Sequence, residues 1–450
     1  MNLDMTKGSP LKLILKFLVP VLLGCVFQQL YNMVDTIIVG KGVGSDALAA
    51  VGATGTIVFF ILGFMNGLTT GFTVLSSQRY GAGDYEGLRK SVGNAFVLGL
   101  IVTVIMTIAS LLGMDWLLRI MQTPEDIFDM SKEYIVIICV GIIFTTLYNL
   151  TASILRAVGN SKVPLYFLIL SALLNVVLDL FFIMVLSWGV AGAAIATVIA
   201  KVIELAWALL VMMKKDSVKI RLGWAIRPDK VLLRDFWKYT APILGDELMW
   251  GLGFTMYSVI MGHMGSDAAA ANSIANIVKN LVICFCTGIA TASGIMVGSL
   301  LGQGELEKAK EYGRKLSKTS IFAGVIAGVI ILGVIPFTPL FSTLTDTAKG
   351  YLRVMLVVCS YYVIGKSINM TVISGIFAAG GDSKFGFICD GITMWCVTVP
   401  IGLIAAFVLK LPVLTVYILI NVDEIIKLPA VLKNYRKHNW VKNLTRQEPA

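Results

Sequence analysis

The amino-acid sequence predicts an all-α, polytopic membrane protein with twelve transmembrane helices in two six-helix lobes. Three observations support this prediction: a high apolar content, long apolar segments that recur along the chain, and an internal repeat. The 450 residues are 57% hydrophobic and 14% charged, and the mean hydropathy is +0.83, outside the usual range of soluble domains. A bilayer core about 30 Å thick needs about 20 apolar residues per helical span, which the segments supply.

The apolar segments divide into two sets of six, separated by a charged stretch. The first set comprises Leu13–Val39, Ala47–Leu75, Val92–Leu118, Tyr134–Ala157, Val163–Leu186 and Gly189–Met213. The second set comprises Tyr239–Gly262, Ala268–Leu300, Ser317–Phe341, Tyr351–Ala378, Phe385–Leu409 and Leu411–Leu432. Each segment is long enough to cross the bilayer as a helix.

The basic residues indicate the orientation in the membrane. Most of the 37 Lys and Arg residues lie before segment 1, in alternate connections, in the central charged stretch and in the tail. By the positive-inside rule these parts are cytoplasmic, and so are both termini. The first apolar segment is long enough to span, and no small-residue cleavage site precedes it, so we expect no cleaved signal peptide.

The two halves repeat at a nearly constant offset. The segment Gly44-Ser-Asp-Ala-Leu-Ala-Ala50 matches Gly265-Ser-Asp-Ala-Ala-Ala-Ala271 at 221 residues, and Gly159-Asn-Ser-Lys162 matches Gly381-Asp-Ser-Lys384 at 222. Because six helices are an even number, both halves insert with the same orientation and enclose a central cleft. The predicted organisation is an N-lobe at 1–215, a cytoplasmic linker at 216–237, a C-lobe at 238–434 and a cytoplasmic tail at 435–450.

Several classes of site are disfavoured by the residue types. All seven cysteines lie in apolar segments, where thiols usually act as small core residues, and the two histidines are far apart. The glycines at Gly81 and Gly83 follow a predicted helix rather than a strand, which disfavours a nucleotide site. Paired phosphate-binding Asp motifs and a His-Glu-x-x-His motif do not occur. We therefore expect no catalytic residues, no cofactor and no nucleic-acid partner.

Ionisable side chains inside apolar segments are costly and are candidates for function. Asp35 lies five residues before Gly40, near the outer end of segment 1, and Asp179 lies in segment 5. Asn175 is one helical turn before Asp179, and Thr197 in segment 6 is level with Asp179 across a short turn. We expect these four to converge into a pocket for a shared proton or a sodium ion. The alternative is structural: Asp35 borders the end of its helix, and Asp179 is a satisfied hydrogen-bonding group.

Other polar residues in the apolar segments are candidates for substrate contact. Gln28 lies two turns before Asp35, and Asn149 lies in segment 4; the second half contributes Glu247, Lys279 and Lys366. For the second half a structural ion-pair network is the main alternative, with further members Asp246, Asp423, Glu424 and Lys427. Lys201 and Glu204, three residues apart, are expected to form a local pair.

The combination of motifs resembles the multidrug and toxic-compound extrusion (MATE) transporters, in particular their DinF-like prokaryotic branch. The resemblance rests on Gln28-Gln-Leu-Tyr-Asn-Met-Val-Asp35, Asp46-Ala-Leu-Ala-Ala-Val-Gly52, Arg156-Ala-Val-Gly-Asn160 and Asn175-x-x-x-Asp179. It implies V-shaped lobes, residence in a bacterial or archaeal cytoplasmic membrane, and export of organic cations or amphipathic drugs against protons or sodium ions. The cation site of the DinF-like branch falls here on Asp35, Asn175, Asp179 and Thr197.

The resulting hypothesis is a monomeric secondary antiporter that works by alternating access. The first alternative is a lipid-linked oligosaccharide flippase, which would need a strongly cationic cleft. The second is an intramembrane enzyme, which lacks the expected motifs.

Overall fold

The computed structural model describes residues 10–121, 123–214, 230–340 and 344–445, and within these ranges the chain is helical without any strand. The predicted linker at 216–237 lies mostly outside the described residues, as do the first nine residues and the last five of the predicted tail. The predicted all-α fold class is confirmed.

The described residues form two compact units. Unit 1 comprises residues 23–214 and 230–237, and unit 2 comprises residues 10–22, 238–340 and 344–445. The first helix therefore contributes its beginning to unit 2 and its remainder to unit 1. The first helix of the second repeat does the reverse, with its beginning in unit 1.

Six helices correspond to the first predicted set. They are α1 (Pro10–Gly42), α2 (Ser45–Gly81), α3 (Tyr85–Ile120), α4 (Glu125–Ala157), α5 (Lys162–Val185) and α6 (Gly189–Met213). The end of α5, at Leu180–Val185, is a wider π-helical turn. An apolar cluster around Val39, Tyr134 and Ala193 packs α1, α4 and α6 against one another near this turn.

The second set follows the same order. It comprises α7 (Lys230–His263), α8 (Ser266–Gln303), α9 (Leu306–Val334), α10 (Asp346–Phe377), α11 (Ser383–Val408), α12 (Val413–Ile420) and α13 (Asp423–Arg436). The single twelfth helix predicted over Leu411–Leu432 is therefore wrong in detail. The helix is interrupted at Asn421 and Val422, and the next helix, α13, begins with two acidic residues, Asp423 and Glu424. Acidic side chains are favourable at a helix N-terminus because they face its positive dipole end.

The repeat is visible in the backbone as well as in the sequence. The glycines at the matched turns share left-handed φ angles: 127° at Gly44 and 114° at Gly265, and 81° at Gly159 and 76° at Gly381. A residue with a Cβ rarely adopts these angles, so the same residue type recurs at both copies of each turn. This supports the duplication predicted from the sequence.

Ten helices in the described residues are long and apolar enough to cross a membrane. Apolar side chains cover their outer faces; Leu112 is 84% exposed and Phe322 is 72% exposed. Such faces are compatible with lipid rather than water. Three described helices of the second set do not meet this criterion of length and apolar composition. They are α7, which carries Asp246 and Glu247, and the two short helices α12 and α13. The chain is a multi-pass membrane protein.

Candidate functional site

Two carboxyl groups meet in the interior of unit 1. Asp35 on α1 is 9% exposed and Asp179 on α5 is fully buried. Their carboxyl groups lie close enough to interact, and a hydrogen bond between them forms only when one is protonated, because carboxylate oxygens only accept. Asp35 lies inside α1, seven residues before its end, so the alternative that it borders the helix end is wrong.

Asn175 and Thr197 complete the predicted set. The Asn175 amide is assigned the orientation in which both of its ends have a hydrogen-bonding partner. In this orientation Nδ2 donates to Asp179 Oδ2 at 2.8 Å, and Oδ1 accepts from the Thr197 backbone N–H at 3.3 Å. Asn175 reaches Asp179 because residues four apart share a helix face. The structure thus brings together all four residues expected to form the pocket.

Two tyrosines of this site are absent from the sequence prediction. The Tyr31 hydroxyl donates to Thr197 Oγ1 at 3.3 Å, and both Tyr31 and Tyr134 lie close enough to the two carboxyl groups to interact electrostatically with them. Tyr31 precedes Asp35 by four residues, so helical spacing alone would have identified it. Tyr134 comes from the start of segment 4 and has no such local signal.

The carboxyl pair retains unused hydrogen-bonding capacity. Oδ1 of Asp35 and Oδ1 of Asp179 are buried and have no hydrogen-bonding partner among the described residues. Buried polar atoms are nearly always paired, so these orphan oxygens mark the pair as the candidate functional site of unit 1. The neutral oxygens of Thr197 and Asn175 would suit a sodium ion, which prefers oxygen ligands.

The predicted substrate residues of unit 1 make hydrogen bonds to other amide side chains. Gln28 Nε2 donates to Asn32 Oδ1 at 3.2 Å, and Asn149 Nδ2 donates to Asn66 Oδ1 at 3.1 Å. The first bond is within α1, whereas the second joins α4 to α2. Amides in transmembrane helices commonly make such links. The predicted Lys201–Glu204 pair is confirmed, at 2.7 Å.

Unit 2 contains a larger cluster of buried charges. Lys427 lies 2.9 Å from Asp390, 3.2 Å from Glu424 and 3.6 Å from Asp423, while Lys366 lies 3.1 Å from Glu424. The expected ion-pair network is therefore present for these residues. It forms because α13 begins with two acids that face lysines on its own next turn and on α10.

The network differs from the prediction in its membership. Asp390 on α11 belongs to it but was not predicted, although it is an acid inside an apolar segment. Asn369 is a further unpredicted member, and its Nδ2 donates to Glu424 Oε2 at 2.8 Å. Asp246 lies close enough to Asp390, and Glu247 to Lys366, for electrostatic interaction. Lys279 makes no ion pair within the described ranges; its ammonium lies over aromatic rings instead.

A membrane-embedded helical bundle with a buried, partly unsatisfied carboxyl pair defines the class of the protein: such intramembrane acids are typical of transporters that move protons or ions. A family model described as MatE matches residues 20–181 and 242–422, most of the chain. The chain belongs to the MatE family. The resemblance to MATE transporters seen in the sequence is thereby confirmed.

Relatives and solved structures agree with this assignment. The probable multidrug resistance protein YoeA of Bacillus subtilis (strain 168) is 29% identical over 89% of this chain and 88% of its own length. The probable multidrug resistance protein YpnP of the same strain is 31% identical over 67% of this chain and 66% of its own length. An outward-facing structure of a multidrug resistance MATE family transporter of the MOP superfamily superposes with a TM-score of 0.87 at 24% identity, covering 97% of this chain and 98% of that chain. The chain is thus a membrane transporter and not an enzyme.

Proposed function

We propose that this transporter is a secondary antiporter that exports organic cations or other amphipathic compounds in exchange for protons or sodium ions. The observation that carries the proposal is the Asp35–Asp179 pair, two neighbouring buried carboxyl groups, each with a buried oxygen that has no hydrogen-bonding partner among the described residues. The names of the relatives as multidrug resistance proteins support the substrate class.

The chemistry of the pair suits ion coupling. Two carboxylates held close in a low-dielectric site repel each other, so the pair retains a proton or takes up a cation. Asn175 donates to Asp179 and thereby orients one carboxyl group, while Thr197 and Tyr31 hold the neighbouring helices together at this level. These neutral groups leave the charge of the pair uncompensated until an ion arrives.

The transport cycle follows from this charge imbalance. In the outward-facing state the pair takes up a proton or sodium ion from outside, which removes the repulsion and allows α1 and α5 to pack differently. That rearrangement of unit 1 displaces bound substrate to the outside. Release of the ion into the cytoplasm restores the repulsion and resets the cycle, so transport proceeds by alternating access.

The decisive experiment measures efflux of the fluorescent cation ethidium from proteoliposomes under a proton gradient alone and a sodium gradient alone. Asp179→Asn is the test variant, because an amide keeps the shape of the carboxyl group but cannot carry the proton or the charge. Asp115→Asn is the matched control, since Asp115 is a half-exposed acid of the same unit paired with Lys132 at 2.7 Å. We expect gradient-driven efflux in the wild type and in the control, and its loss in Asp179→Asn.

Near-normal coupled efflux in Asp179→Asn would overturn the coupling role of the pair. Absence of movement under either gradient in the wild type would overturn antiport itself. In that case movement of a lipid-linked oligosaccharide by the purified protein would favour the flippase alternative.

The placement of the chain in the membrane is part of the same proposal. We place both termini in the cytoplasm of a bacterial or archaeal cell, the linker at 216–237 and the tail at 435–450 on the same side, and the functional halves at 1–215 and 238–434. Basic residues concentrated in these parts support this orientation. A fluorescent protein fused after Ala450 would fluoresce in the cytoplasm; an alkaline phosphatase fusion active in the periplasm would contradict the orientation.

Substrate contact is proposed for two sets of residues. Gln28 and Asn149 belong to unit 1, and Glu247, Lys279 and Lys366 belong to unit 2. Their polar groups lie in spans that are otherwise apolar, where a drug-sized amphipathic molecule would need a small number of oriented polar contacts.

A further inference from the structure

Lys279 is a buried lysine without an acidic partner in ion-pair range among the described residues. It lies on α8 and is 4% exposed, and its ammonium is 5.2 Å from the ring centroid of Phe254 and 4.8 Å from that of Tyr362. Among the residues that the structure describes, the ammonium makes neither an ion pair nor a hydrogen bond. Aromatic faces attract a cation but replace only part of its lost hydration.

The other two lysines of the unit 2 cluster form ion pairs with nearby acidic residues. Lys427 contacts Asp390, Asp423 and Glu424, and Lys366 contacts Glu424. Lys279 interacts with Asp423 and Glu424 only over a longer distance, outside ion-pair range. Among the described residues, the Lys279 ammonium is therefore left without an acid within ion-pair distance.

The surroundings of Lys279 favour an aromatic partner. Trp250 and Phe254, one turn apart on α7, stack with centroids 5.6 Å apart and ring planes 19° apart. The Lys279 ammonium lies over Phe254, and the Lys366 ammonium lies 4.9 Å from the centroid of Trp250. Both rings of the stack are only partly buried. A flat ring that joins this stack would bring an attached carboxylate towards Lys279.

We propose that Lys279, with the rings of Phe254, Tyr362 and Trp250, forms a subsite for the carboxylate or sulfonate of an aromatic, amphipathic substrate. The inference rests on the proposed function, because it names the class of compound that the transporter carries. The anion accepts a charge-assisted hydrogen bond from the ammonium, and its ring packs on the aromatic stack. The amphipathic compounds expected as substrates would then include organic anions and zwitterions.

The test compares two ligands with the same ring and opposite charge, 1-naphthoate and 1-naphthylmethylammonium. Their binding to the purified protein in detergent is measured by calorimetry without any ion gradient. We expect the wild type to bind naphthoate at least about tenfold more tightly than the ammonium, as one charge-assisted hydrogen bond allows. Lys279→Met should remove this preference, and Lys279→Arg should keep most of it.

The control variant is Lys308→Met, which removes an exposed lysine of unit 2 whose nearest acid, Glu305, is 3.6 Å away. It should bind both ligands like the wild type. If Lys279→Met does not fold, the comparison of the two ligands on the wild type still decides: equal affinity, or tighter binding of the ammonium, overturns the proposal. An equal loss of both ligands in a folded Lys279→Met protein also overturns it, because that result indicates a structural role.

Two further measurements distinguish a lipid ligand from a transported compound, and a failed binding proposal from a failed coupling proposal. Displacement of naphthoate by phosphatidylglycerol would show that a lipid headgroup occupies the subsite and would overturn its role for a transported compound; retained naphthoate supports that role. Asp179→Asn should still bind naphthoate, because the subsite lies in unit 2. Failure of gradient-driven efflux would thus leave the binding result intact, and failure of binding would leave the coupling result intact.

Discussion

Each unit contains a cluster of buried ionisable side chains, and the two clusters differ in whether lysines compensate the charge of the acids. In unit 1, Asp35 and Asp179 face each other, and the described residues place no cation within ion-pair distance of either. In unit 2, Lys366 and Lys427 bond directly to the acids around them. Removing a charge should therefore have different consequences in the two units.

The two units share their helices but not the polar residues at equivalent positions. The repeat offset of 222 residues aligns Asp35 with Tyr257 and Asp179 with Ile401. Tyr257 bonds to the Thr398 hydroxyl at 2.5 Å, a neutral contact in place of a carboxyl group. Duplication preserved the helices and their glycine turns, whereas the polar residues diverged. An acid pair without a cation is suited to take up an ion, and an acid cluster with its own lysines is suited to hold helices together.

The largest effect is expected from Asp35→Asn in unit 1. Coupled efflux from proteoliposomes should fall to the level seen without a gradient, because a single remaining carboxyl group loses the repulsion that drives ion uptake. The midpoint of thermal unfolding, followed by tryptophan fluorescence in detergent, should stay equal or rise, since one like charge is removed. A large drop in the midpoint would instead assign the pair a structural role.

The next effect is expected from Lys427→Met in unit 2. Removing the lysine leaves Asp390, Asp423 and Glu424 buried with less compensation, which should lower the free energy of unfolding by about 3–5 kcal/mol. Thermal unfolding of the detergent-solubilised protein measures this change. Adding Asp390→Asn should recover part of the loss, because it removes one of the acids left without a partner. Unchanged stability in the single variant would contradict the contrast between the units.

The smallest effect is expected from Tyr257→Phe, at the position of unit 2 that corresponds to Asp35. The variant loses one hydrogen bond to Thr398, which costs about 1 kcal/mol of unfolding free energy. The proton or sodium concentration that gives half-maximal efflux should not change. A shift in that concentration would show that unit 2 takes part in coupling at this level and would weaken the assignment of coupling to unit 1 alone.

Much of the fold could be predicted because its signals lie along the chain. Hydropathy predicted twelve spans, and the offset of 221 to 222 residues predicted the duplication. The break in the twelfth helix was missed, although Asp423 and Glu424, which are favourable at a helix N-terminus, directly follow Asn421 and Val422. In the structure, Glu424 in the first turn of the new helix contacts Lys366 and Asn369, and these contacts could not be read from the sequence.

The sequence by itself determined the membrane class, the duplicated halves and the small set of acids that an apolar environment makes costly. Helical spacing joined Asn175 to Asp179, since residues four apart always share a face. The tertiary structure decided which of the distant charges meet. Lys366 and Glu424 are 58 residues apart yet in contact, whereas Lys279, a more deeply buried lysine of the same unit, faces aromatic rings. Such contacts depend on the rotation of each packed helix about its own axis, which hydropathy along the chain does not encode.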